Sequence, residues 1–121
     1  MISQHYQESP PQQLKRHIST LSSSYPNLSA ITILHAEKWL ESLGSIVVAN
    51  QLQWIDPLIQ ITALNEVVFE WWCRDKKLTI YIEDANAEYL QVWGPDIDHE
   101  MIDGEANRLT EIDRLWNWLV G

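Results

Sequence analysis

Cysteine, glycine and basic side chains are all scarce in this chain of 121 residues. The single cysteine, Cys73, excludes an intrachain disulfide. Four glycines leave little material for a phosphate-cradling loop or a dinucleotide fingerprint, and no Gly-x-Ser-x-Gly elbow occurs, so no cofactor is implied. No apolar run exceeds Ile46-Val47-Val48-Ala49, far short of the roughly 20 residues that a membrane-spanning helix needs. The stretch from Met1 to Glu8 has neither a basic nor an apolar segment, so no secretory signal is readable. The Asn27-Leu28-Ser29 sequon is therefore read as empty, and a cytoplasmic location is the expectation.

Eight Lys and Arg stand against seventeen Asp and Glu, a formal charge of −9. From Leu78 to Asn107 there is no Lys or Arg, yet Glu83, Asp84, Glu88, Asp96, Asp98, Glu100, Asp103 and Glu105 all fall there. Direct nucleic-acid binding needs cations gathered on one face, which this balance opposes. An acidic zone suits a basic protein partner, or simply keeps the chain in solution.

What the sequence has in quantity is tryptophan, seven residues of it, with four tyrosines. These and β-branched residues fill three runs, Glu66–Cys73, Leu78–Glu83 and Glu88–Trp93, which read as an antiparallel meander. A four-residue loop at Arg74–Lys77 pairs Trp71 with Ile80 and Phe69 with Ile82. A three-residue loop at Ala85-Asn86-Ala87, where Asn tolerates the left-handed conformation, pairs Ile82 with Leu90 and Ile80 with Val92. This register puts Val67, Phe69, Trp71, Leu78, Ile80, Ile82, Leu90 and Val92 on a core face. Glu70, Trp72, Tyr81, Tyr89 and Trp93 then share the opposite face. Two readings of that aromatic face stand side by side. A helix or terminus of the same chain covers it, or it contacts a partner, since Trp and Tyr are enriched where interfaces are strongest.

Residues 1–9 read as a flexible arm and 10–121 as one α+β domain. Pro10-Pro11 opens a helix carrying Leu14, Ile18 and Leu21 to about Ser24. Ser29 caps a second helix to about Asn50, with Ile33, Ala36, Leu40, Leu43 and Val47 on one side. Gly44 inside it costs up to ~1 kcal/mol relative to Ala, which invites a kink. Leu58–Ala63 is read as a fourth, edge strand. An acidic loop follows Gly94-Pro95 as far as Glu105, and a last helix, Arg108–Leu119, packs on the sheet.

His5, His17, His35 and His99 stand in separate segments, none paired with another His or Cys at metal-ligand spacing, which leaves no zinc motif. Asp96, Asp98, Glu100 and Asp103 offer oxygen ligands, but Met101 replaces the glycine and Asn107 the bidentate Glu of an EF-hand loop. Cys73 points coreward in the register above and reads as an inert thiol.

Glu70-Trp71-Trp72, Lys77-Leu78-Thr79-Ile80-Tyr81-Ile82 and Val92-Trp93-Gly94 resemble the meander of a family of small bacterial proteins of unestablished function, several of them cyanobacterial. The resemblance covers about residues 57–94, together with Leu115–Leu119. Members of this sort look like genes beside mobile-element or toxin–antitoxin loci, which implies an interaction role and brings no catalytic residues. The sequence thus favours a non-enzymatic, antitoxin-like or regulatory interaction module using an aromatic sheet face and an acidic surface. A homodimer through the same face is a variant of that reading. The alternative is a metal-dependent hydrolase built on Asp96, Asp98, His99, Glu100 and Asp103.

Overall fold

Ser9 and Ser29 start the two N-terminal helices of the computed structural model, which describes residues 8–121. Ser9 accepts from the Gln12 amide ahead of α1 (Pro10–Ser22), and Ser29 from the Thr32 amide, at 3.0 Å, ahead of α2 (Ala30–Ala49). Of the arm, residues 1–7 lie outside the described residues, while Glu8 pairs with Arg16 of α1. Five strands follow as one antiparallel meander: β1 (Leu58–Ile61), β2 (Val67–Cys73), β3 (Lys76–Glu83), β4 (Asn86–Val92) and β5 (Met101–Glu105). The chain closes with α3 (Leu109–Val120), where Glu111 accepts from the Arg108 amide at 3.0 Å. The α+β architecture is the expected one, with a longer sheet: β5 is cut from the stretch read as acidic loop.

The helices lie on one side of the sheet. Ile18 of α1, Ala36, Trp39, Leu40 and Leu43 of α2, and Ile112, Leu115, Trp116 and Leu119 of α3 share a core with Ile59, Val67, Phe69, Trp71, Leu78, Ile80 and Ile82. Through it runs a file of rings: Trp39 and Trp71 (5.9 Å), Trp71 and Trp116 (5.3 Å), Trp116 and Trp54 (6.1 Å). A buried indole N–H needs an acceptor. Trp39 donates to Ala106 O, Trp71 to Ile55 O, Trp116 to Gln53 O and Trp54 to Asp56 Oδ1, each within 2.9 Å. Three of these acceptors stand in residues 51–57, so the connector between α2 and β1 is held by tryptophans.

Both central turns are tighter than the sequence suggests. Cys73 pairs with Lys76 and Glu83 with Asn86, which leaves two-residue turns at Arg74-Asp75 and Asp84-Ala85. Arg74 (φ 57°) and Asp84 (φ 50°) take the left-handed positions. In the first hairpin Trp71 meets Leu78 and Phe69 meets Ile80, a slip of two from the expected pairing, which keeps every side chain on its side. In the second, Ile80 meets Tyr89 and Ile82 meets Ala87. That slip is three, and it turns β4 over.

The cause of the tighter second turn lies outside the hairpin. Thr32 Oγ1 accepts from the Asp84 amide at 2.7 Å, Ser29 Oγ donates to Asp84 Oδ1 at 2.7 Å, and His35 Nδ1 lies 2.9 Å from the Asp84 carbonyl. The start of α2 therefore clamps Asp84 as the turn residue, and Asn86 becomes a strand residue. On β4's reversed side Tyr89 lies over Gly104 of β5, where an added Cβ would stand 2.7 Å from the ring, and under the Arg114 guanidinium of α3.

Candidate functional site

Among the described residues, the helices share their core with the inward strand residues, which leaves the other side of the sheet without a helix. The pairing arranges its outward residues in rows. Trp72, Lys77, Val92 and Met101 form the row nearest the β2–β3 turn. Leu58, Glu70, Thr79, Leu90 and Asp103 form the next, and Gln60, Val68, Tyr81, Glu88 and Glu105 the third, with Glu83 beyond. Trp72 is 53 % exposed and Leu58 50 %, while Val68 and Thr79 are buried between larger neighbours. Glu70, Tyr81, Leu90, Val92 and Met101 are half-buried.

Of the five residues expected to share this face, three do: Glu70, Trp72 and Tyr81. Tyr89 is buried on the helical side, the consequence of β4's reversed parity. Trp93, just past β4, stacks edge-on against Trp118 of α3 at 6.2 Å. Trp71 and Trp93 thus point the same way, and the aromatic face shrinks. Leu90 and Val92, expected in the core, take the vacated outward places. Lys77, Met101 and Leu58 join them, none of which the sequence reading assigned to a contact surface. The expectation that an element of the same chain covers the aromatic residues divides: α3 covers Tyr89 and Trp93, no helix shares a core with Glu70, Trp72 or Tyr81, and residues 1–7 lie outside the described residues.

The face has its own electrostatics. The Lys77 ammonium sits 4.9 Å above the Trp72 ring, a cation–π contact that fixes the indole against the sheet. Burial lifts the Tyr81 phenol above its ordinary value of 10.0, and the charges of Glu70 and Glu66 raise it further. Lys77 is the one cation among the outward strand residues, set against Glu70, Glu83, Glu88, Asp103 and Glu105.

The acidic stretch Asp96–Glu105 does not gather its carboxylates. Asp96 accepts from the Asp98 amide at 3.1 Å and faces His99 Nδ1 at 2.9 Å. Glu100 folds back over Gly94 and accepts from the Asp96 amide at 3.1 Å; any Cβ at Gly94 would collide with that carboxylate. Asp103 stands on the sheet opposite Leu90. Among the described residues no group of three or more His, Cys, Asp or Glu is placed to hold a metal ion. Cys73 is half-buried against the core. Among the described residues no helix is long and apolar enough to cross a membrane.

Comparison with protein-family models, curated proteins and solved structures yields no match.

Proposed function

We propose that this chain is a non-enzymatic protein-interaction module, regulatory or antitoxin-like, and that the open side of its sheet is the contact surface. One observation carries this: three helices pack on one side of a five-stranded sheet, while the other side keeps Trp72 and Leu58 half-exposed beside Tyr81, Leu90, Val92 and Met101. Apolar and aromatic groups gathered toward one end of the face, with carboxylates toward the other, suit a protein contact, since exposed Trp and clustered apolar groups mark such surfaces. A charged and apolar patch without convergent polar groups is a poor frame for catalysis.

A photo-reactive side chain placed at position 72 tests the proposal in cells that make the protein. Specific adducts with another protein should form from position 72 and not from position 38, an exposed site on α2. Adducts from both positions alike, or from neither, would refute a sheet-face contact.

A further inference from the structure

We infer that the occupant of the open face is a cationic amphipathic segment of another protein, laid with its apolar side on Trp72, Leu58, Leu90, Val92 and Met101 and its Lys or Arg side chains toward Glu88 and Glu105. This rests on the reading above and names the partner's chemistry.

The charge distribution along the strands chooses the occupant. The end of the face near the β2–β3 turn is apolar, carrying Trp72, Val92 and Met101 with one ammonium already held on an indole. The far end carries Glu83, Glu88 and Glu105, all exposed, with no cation among the outward strand residues there. A second copy of the chain fits badly in any orientation. Each copy brings five outward carboxylates and one outward ammonium, so most acids would be desolvated unpaired, which costs several kcal/mol. An anionic membrane surface or nucleic acid meets the same repulsion. A segment apolar along one side and basic along its flank satisfies both ends together.

The probes are two synthetic 18-residue peptides patterned at helical spacing, one of Leu and Lys and its twin of Leu and Glu, titrated calorimetrically into the full chain. The Lys peptide should bind at least about tenfold tighter than the Glu twin. Trp72→Ala should weaken it, and Glu88→Lys with Glu105→Lys should reverse the preference. The same charge change on the helical side, Glu37→Lys with Asp113→Lys, should leave the preference in place. Equal binding of the twins overturns the inference, as does loss of preference in the helical-side variant, which marks non-specific attraction. A dimer in analytical ultracentrifugation that Trp72→Ala dissociates also overturns it, because the occupant is then a second copy. Should the charge preference fail while adducts from position 72 persist, the sheet-face reading stands and only the cationic occupant is wrong. Loss of both removes the two together.

Discussion

Gly44→Ala sets helix propensity against packing, and the two terms have opposite signs. Gly44 lies inside α2 where α1 crosses it, and a Cβ built there would sit 2.6 Å from Pro11 Cγ, with Pro11 Cδ at 3.6 Å. Carbon atoms in contact prefer roughly 3.5–4.0 Å, so about 1 Å must be found. Alanine gains about 1 kcal/mol over glycine in a helix interior. Overpacking typically costs about 1–3 kcal/mol. The Pro11 ring is tied to the backbone at a fixed φ and cannot swing aside as a flexible side chain would. Helix α1 must instead shift as a body, and Ile18, fully buried on α1, shifts with it. Packing should win, with a net loss of up to about 2 kcal/mol in urea unfolding followed by circular dichroism.

The decisive arm is the same substitution in a Pro11→Ala background. With Cγ gone the collision disappears and only the propensity gain remains, so Gly44→Ala should then stabilise by up to about 1 kcal/mol. The difference between backgrounds is the overpacking term itself, a coupling of about 1–3 kcal/mol, beyond what distant sites show. If Gly44→Ala stabilises both backgrounds equally, α1 does not pack on α2 at this point.

Other substitutions separate the open face from the framework. Trp72→Ala should change stability by no more than about 1 kcal/mol, chiefly the lost Lys77 contact, whereas Trp93→Ala should cost about 2 kcal/mol by removing the Trp118 partner; thermal unfolding would expose an inverted order. Gly104→Val, driven into the Tyr89 ring, should cost about 1–3 kcal/mol, and a neutral result would place that ring elsewhere. In an ultraviolet titration Tyr81 should ionise above its ordinary value of 10.0, and Glu70→Gln should lower it, because a neighbouring negative charge is removed while burial remains. Since folding raises this pKa, the stability it contributes is whole below about pH 10 and is lost as pH climbs through the folded value; Tyr81→Phe should abolish that alkaline step.

Much of the fold was legible because local signals and tertiary packing agree. Ser29 caps α2 as its side chain allows, the helix ends beside Asn50 as expected, and Pro10-Pro11 opens α1. Gly44 shows the reverse. Its propensity cost suggested a kink, yet the helix runs through it, because the missing Cβ is what lets Pro11 approach. Strand β5 was hidden for a chemical reason. Met101-Ile102-Asp103-Gly104-Glu105 has neither strong alternation nor β-branched density, and its glycine serves the Tyr89 ring of the neighbouring strand.

The candidate site was half legible, and parity explains which half. Side chains alternate with period two, so a register error of two between β2 and β3 left Glu70, Trp72 and Tyr81 on the right side, while an error of three between β3 and β4 sent Tyr89 and Trp93 to the wrong one. Nothing within the hairpin sequence reveals the difference. Asn86 is the better left-handed residue by intrinsic preference, but Asp84 takes that role because Thr32 and Ser29, more than fifty positions earlier, hold it. Which β4 residues face outward is therefore set in part by the capping of a helix on the far side of the sheet. Thr32→Val should test this link: it removes the acceptor of the Asp84 amide at a cost of about 1–2 kcal/mol. It should also broaden the backbone resonances of β4, whose register the clamp selects. If Thr32→Val leaves both stability and the β4 resonances untouched, the turn holds itself, and the outward placement of Leu90 and Val92 has another cause.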